Sequence, residues 1–338
     1  MLKQWSFQVT TQVHFGPKVI RKLGDAAQEF GWNALLVGYK DSEGMEEVYD
    51  AVQKALRKAR VKAIPFFEVE SEPAAETVER GVAMAKENHA EMIIGVGGGS
   101  AIDAAKAIAA LVKLEGTPWD FANANDGHRH ITDALPIIAV PTTAGTGTEM
   151  TSIAVLTFLG KGDYPDSPVK GALVGAPLRP DVAVVDPTLT LGLSKEVTAG
   201  CAADALGQAI ESCLSRMANP FSTVLGERAV SLIIDALPVV LREPDNLDAR
   251  SDLALAATMS GAAFEATGVT LAHALAQSLG ALLHIPHGLA VGIATPLGLR
   301  KLQDVCSEQL AYLGRHCHIM RDTQESQAAA FIERIESL

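Results

Sequence analysis

The chain has 338 residues, 48% of them hydrophobic, and its 28 basic and 40 acidic side chains give a formal net charge of -12 at neutral pH. A chain this long outgrows a single hydrophobic core and points to two domains. So acidic a surface repels phosphate backbones, which excludes nucleic acid and anionic membranes as expected partners.

In chain order, the opening "MLKQWSFQVTTQVHFG" has no apolar core of signal-peptide length; its second part alternates like a strand and ends at a Gly turn. "NALLVGY" reads as a buried strand, "MEEVYDAVQKALRKA" as an amphipathic helix and "VKAIPFFEV" as a second strand. "PAAETVERGVAMAKEN" is helical, opened by Pro73 near its first turn, and "AEMIIGVGGGS" is an apolar strand running into glycines. A third helix, "AIDAAKAIAALVKL", and another strand, "LPIIAVP", continue the alternation. Strands alternating with helices predict a parallel sheet covered on both faces, a nucleotide-binding architecture. From about residue 152 the texture turns β-rich and irregular in "SIAVLTFLG" and "PDVAVVDP".

Beyond roughly residue 190 the chain is almost entirely helical, with Ala and Leu at helical spacing. The predicted organisation is an α/β domain over 1–187 and an all-α domain over 188–338. Cys201, Cys213, Cys306 and Cys317 form no C-x-x-C pair and suit reduced, buried thiols. No apolar run reaches the roughly 20 residues that span a bilayer, so a soluble cytoplasmic protein is expected. The last segment, "ESQAAAFIERIESL", is amphipathic and stops without a Gly cap or closing element, which points to a shortened C-terminus.

Three stretches carry chemistry. "GVGGGSAIDAAK" puts Gly95, Gly97, Gly98, Gly99 and Ser100 between a strand and a helix start, suiting either an anion-binding turn or tight strand–helix packing. "PTTAGTGTEMT" gathers Thr142, Thr143, Thr146, Thr148 and Thr151 around two glycines. A solvated loop would read the same way, but the position after a strand's C-terminal end is where open parallel sheets collect ligands. In the helical part, Asp204 precedes Gln208 by one helical turn, and His273 and His287 follow in "LAHALAQSLGALLHIPHG". One carboxylate and two imidazoles form a normal divalent-metal ligand set with an open position; each residue alone also suits a hydrogen-bonded core or a solvated face.

Taken together, "GVGGGSAIDAAK", "PTTAGTGTEMT", "RPDVAVVDP", "ADALGQAIES" and "HIPHG", in this order, resemble the iron-containing, or group III metal-dependent, alcohol dehydrogenases. The resemblance implies a dehydroquinate synthase-like architecture: a parallel nucleotide-binding sheet in an α/β N-terminal domain, then an all-α metal and substrate domain. It implies hydride transfer in a cleft between them, between NADP or NAD and a small alcohol or aldehyde, with Fe2+ or Zn2+ polarising the substrate oxygen. By motif position, Gly97, Gly98, Gly99 and Ser100 would cradle the pyrophosphate, and Asp103 belongs to the same cofactor-binding motif. Thr142, Thr143 and Thr151 would line the adenosine and ribose side, and Lys170 would reach the nicotinamide ribose. Asp204, the residue at 208, His273 and His287 would hold the metal, in a protein that assembles as a dimer or larger homo-oligomer.

Three departures stand out. Gln208 occupies the place of a usual histidine ligand, and Gln277, which cannot titrate, occupies that of a histidine near the catalytic centre. His284, three residues before His287, is a candidate substitute ligand or proton carrier, so the catalytic candidates are His273, His287 and His284. The chain also ends before the further helices usual in the family. At the strand end "LLVGYKD" no acid stands immediately at the tip, and Lys40 faces the place of a ribose 2′-phosphate with Asp41 beside it, which favours NADP over NAD. Two other readings are a metal-free reductase of an acidic substrate, similar to maleylacetate reductases, and a degenerate cofactor-binding protein without catalysis.

Overall fold

The computed structural model describes residues 4–41, 44–161, 168–283 and 285–338. The chain divides into two compact units: an α/β unit of Thr10–Thr142 and Thr148–Gly192, and a helical unit of Leu193–Leu338 with Thr143–Gly147 and the N-terminal stretch up to Val9.

The α/β unit runs β1 (Gln12–Phe15), α1 (Leu23–Gln28), β2 (Asn33–Tyr39), α2 (Glu46–Lys58), β3 (Lys62–Val69), α3 (Ala75–Glu87), β4 (Met92–Gly97), α4 (Gly99–Lys113), β5 (Ile137–Pro141), β6 (Ile153–Phe158), β7 (Val169–Val174) and β8 (Val182–Val185). Six strands form one parallel sheet in the order β1-β8-β5-β4-β2-β3. Side chains alternate across a strand, so the central strands feed two cores. Leu35, Val37 and Ile93 meet α3 and α4 on one face, while Ala34, Leu36, Met92 and Ile94 meet α1 and α2 on the other. Burial on both faces explains why these strands read as unbroken apolar runs. After β2 the chain steps outward to β3 and crosses back to β4 on the other side of β2. That reversal makes the C-terminal ends of β2 and β4, where Tyr39 and Gly97 stand, the sheet's topological switch point.

The β-rich stretch after 152 is more regular than its sequence suggested: β6 and β7 pair antiparallel, with Ile153 opposite Val174 and Phe158 opposite Val169. Pro73 stands beside the first turn of α3, immediately before the N-cap Ala74. The Thr157 amide donates to the Pro73 carbonyl at 2.9 Å and Ala74 bridges to Thr157, so β6 holds these residues extended before the helix begins. In "RPDVAVVDP", buried Asp186 accepts from the amides of Lys18 (2.9 Å), Ile20 (3.0 Å) and Thr188 (3.0 Å), tying the ends of β1 and β8 together.

The helical unit contains α5 (Lys195–Leu214), α6 (Pro220–Arg242), α7 (Leu247–Thr267), α8 (Leu271–Leu283), α9 (His287–Leu302), α10 (Ser307–His316) and α11 (Gln324–Glu336). Sequence caps mark their starts: Ser194, Asn219, Asn246 and Thr323 each accept a first-turn amide through the side chain. α5 is the central helix and packs against α6, α7 and α9. The amphipathic last segment forms α11, with Phe331 and Ile332 fully buried.

Candidate active site

In the helical unit, Asp204 on α5, His273 on α8 and His287 at the start of α9 bring one ligand atom each within 4.8 Å of the others. Asp204 Oδ1 lies 3.3 Å from His273 Nε2 and 3.5 Å from His287 Nε2, and the imidazole centroids are 5.7 Å apart. Asp204 and His273 are buried, whereas His287 is about two-fifths exposed at 39% of its side chain. The glycine after His287 has a packing reason. A Cβ on Gly288 would stand 2.2 Å from the Gly200 carbonyl oxygen, so only glycine lets α9 approach the α5 backbone closely enough to deliver His287.

Behind His273 stands Glu211, which the sequence reading did not single out. It is buried; Oε2 contacts His273 Nδ1, and Oε1 accepts from Thr270 Oγ1 at 2.6 Å and the Ala272 amide at 2.7 Å. A carboxylate on Nδ1 fixes the tautomer that leaves Nε2 as a ligand atom. The signal was present in "ADALGQAIES": Glu211 is seven residues after Asp204, two helical turns along the same face. Burial opposes charging the His273 imidazole, but hydrogen bonds to Asp204 and Glu211 outweigh it and raise its pKa to about 9. Glu211 is held below the usual range, its burial outweighed by the hydrogen bond and charge of His273.

Gln208 is buried on the same helix, and its Oε1 accepts from the Ser260 hydroxyl at 3.1 Å. Gln277 is exposed on α8, and His284 lies outside the described residues. Thr143, grouped with the helical unit, hydrogen bonds the Cys201 thiol. Burial and the neighbouring Asp204 charge push that thiol up to about 12, which keeps it protonated.

The α/β unit contains the predicted cofactor turn. Gly97 ends β4 with φ 148°, and a Cβ there would meet Ala101 Cβ at 2.7 Å and the Tyr39 ring at 2.8 Å. The turn is therefore also a close strand–helix contact. The Gly98 amide donates to the Tyr39 hydroxyl at 3.2 Å, and the Thr142 amide to the Gly97 carbonyl at 2.9 Å. Lys170 Nζ donates to Glu72 Oε1 at 2.6 Å, and the Glu72 amide donates to Ser100 Oγ at 3.2 Å, so Lys170 is linked to the glycine turn. Gly99 opens α4.

Asp103 and Thr151 have partners within the fold. Asp103 accepts from Thr148 Oγ1 at 2.6 Å and the Val155 amide at 2.9 Å. Thr151 Oγ1 accepts from Lys106 Nζ at 3.0 Å. Lys106, fully buried, also donates to Thr148 Oγ1 at 2.6 Å and the Ile153 carbonyl at 2.8 Å, binding α4 to the chain between β5 and β6. A lysine in an Ala-rich helix gave no hint of this from sequence.

Residues 10–187 match the family described as iron-containing alcohol dehydrogenase, and residues 198–338 match that family's C-terminal domain. EutG of Escherichia coli K12, described as a probable alcohol dehydrogenase, is 39% identical over 92% of this chain and 76% of its own length. EutG of Salmonella typhimurium LT2 is 37% identical over 78% of this chain, which covers 65% of that relative, just under two thirds. A crystal structure of a 1,3-propanediol oxidoreductase superposes with a TM-score of 0.92 at 29% identity, over 99% of this chain and 86% of the other. With both parts matched in order and the fold shared along nearly its whole length, the chain belongs to the iron-containing alcohol dehydrogenase family.

Proposed function

We propose that this protein is an NAD(P)-dependent oxidoreductase that interconverts a small alcohol and its aldehyde at a divalent-metal centre formed by Asp204, His273 and His287. The observation that carries this reading is the convergence of those three donors from three helices, with Glu211 seated behind His273. The donor set fits such a cation: one carboxylate oxygen and two imidazole nitrogens, a combination used at open catalytic sites. The bound metal, Fe2+ or Zn2+, supplies Lewis-acid polarisation of the substrate oxygen. Asp204 supplies the negative charge, Glu211 holds the Nδ1 proton of His273, and half-exposed His287 marks the open side where substrate enters.

On this reading Gly97, Gly98, Gly99 and Ser100 take the cofactor pyrophosphate, Thr142 and Thr143 the ribose side, and Lys170 moves from Glu72 to the cofactor. Asp103 and Thr151 act through the fold that holds this loop. Exposed Lys40, at the end of β2, supports NADP over NAD. The names of the relatives support an alcohol or aldehyde as substrate, and the family resemblance supports a cytoplasmic homo-oligomer; a monomer by light scattering would remove the latter. The functional test is NADPH and NADH oxidation on a panel of small aldehydes. His273→Ala should lower turnover by at least about 100-fold, because metal stabilisation of a developing alkoxide is worth several kcal/mol. Unchanged turnover in that variant would contradict the proposal.

A further inference from the structure

We infer that Tyr39 is a built-in competitor of the cofactor: its hydroxyl holds the Gly98 amide of the glycine turn, and a pyrophosphate oxygen must displace it. This rests on the assignment of that turn to the cofactor above. Gly98 is the N-cap of α4 and is buried, and the helix dipole makes its N–H a donor suited to an anion. A buried N–H left without an acceptor is costly. Tyr39 Oη meets that need at 3.2 Å, the long end of the N–H···O range, and does so as a neutral acceptor. A phosphate oxygen makes a shorter, charge-assisted bond about twice as strong, so the exchange favours the cofactor.

Tyr39 is mounted as a side chain that can turn on a fixed backbone. Its amide donates to Tyr49 Oη at 2.7 Å, and the Tyr49 ring stacks on Phe67 with centroids 4.1 Å apart. The Lys40 amide donates to the Val69 carbonyl at 2.8 Å, so the end of β2 stays tied to β3. Across from it, the Thr142 amide holds the Gly97 carbonyl at 2.9 Å. Between these two anchored stretches the Tyr39 side chain is partly exposed, and its ring stands 2.8 Å from where a Cβ on Gly97 would be. The ring therefore covers the face of the turn that glycine leaves open to a closely approaching ligand. Rotation of this one side chain uncovers both that face and the Gly98 amide.

The test compares the unmodified protein with Tyr39→Phe, which keeps the ring and removes the competing oxygen, by calorimetric titration with ADP and with adenosine, which lacks the pyrophosphate. Without nucleotide the variant should melt below the unmodified protein, because its Gly98 amide has lost an acceptor. For the same reason it should bind ADP about 5-fold more tightly or better, with adenosine affinity unchanged within about twofold. A second measurement uses the unmodified sequence labelled with 3-fluorotyrosine. The Tyr39 fluorine resonance, one of four and identified by its loss in Tyr39→Phe, should move toward the solvent-exposed range at saturating ADP. Equal or weaker ADP binding in Tyr39→Phe, an equal gain for adenosine, or an unmoved Tyr39 resonance would overturn the inference while leaving the cofactor turn standing. If the unmodified protein binds ADP no more tightly than adenosine, the assignment of the turn to the pyrophosphate falls and this inference falls with it.

Discussion

Removing Glu211 tests how the site is held together. In Glu211→Ala, three groups lose their acceptor: the Thr270 hydroxyl, the Ala272 amide and His273 Nδ1. Thr270 is partly exposed and can turn to water, whereas Ala272 and His273 are 3% and 5% exposed. Each donor orphaned away from water costs about 1–3 kcal/mol, and the charged partner of a buried pair costs about 3–5 kcal/mol. The expected destabilisation is therefore about 4–8 kcal/mol, a large fraction of a typical domain's stability. Glu211→Gln keeps the shape but lacks the charge, so it should unfold less readily than the alanine variant while losing about 10- to 100-fold in metal affinity. Urea denaturation of chelator-treated protein, followed by circular dichroism, reads the first effect, and chelator competition reads the second. A stability loss below about 1 kcal/mol in Glu211→Ala would refute the reasoning, because the carboxylate would then be organising nothing.

The remaining predictions address other parts of the account. Because the folded pKa of His273 lies near 9, above its ordinary 6.5, its contribution to the stability of chelator-treated protein is fully present below about pH 6.5 and lost as pH rises through 9. The loss is roughly 3 kcal/mol, measurable by denaturation at the two ends of that window and absent in His273→Ala. The same proton must leave before the metal binds, so calorimetry near neutral pH in buffers of different ionisation enthalpy should show about one proton released per metal. Gly288→Ala should push α9 off α5, costing about 1–3 kcal/mol and weakening metal binding through displacement of His287, with little effect on nucleotide binding to the α/β unit. Lys106→Met should cost about 3–5 kcal/mol, since it leaves Asp103 without its nearest buried cation; thermal melts that match the unmodified protein would contradict that.

Much of the fold was legible because the decisive signals were local. "NALLVGY" and "AEMIIGVG" are apolar runs bounded by turn residues, and they became β2 and β4; the helix caps lie where Ser, Asn and Thr precede apolar periodic runs. The Asp204, His273 and His287 set was legible as chemistry, and three helices bring it together. What escaped depended on partners far apart in sequence. Thr143–Gly147 groups with the helices because Gly147 packs against the Gly261 backbone, where even a Cβ would come within 2.6 Å. The sequence put Asp103 in the cofactor-binding motif, but could not show that its two oxygens accept from Thr148 Oγ1 and the Val155 amide, over 40 positions away. Glu211 repeated the spacing of Asp204, but only the packing of α8 onto α5 shows that His273 sits between the two carboxylates.

The central claim is that Asp204, His273 and His287 hold one catalytic divalent cation, and metal stoichiometry tests it most directly. Elemental analysis should be made on protein purified without chelator and again after anaerobic addition of iron or zinc, alongside Asp204→Ala and His287→Ala. The account predicts about one iron or zinc per chain in the unmodified protein and a large loss in both variants, with nucleotide affinity retained. No bound metal even after loading, or equal metal content in all three proteins, would contradict it.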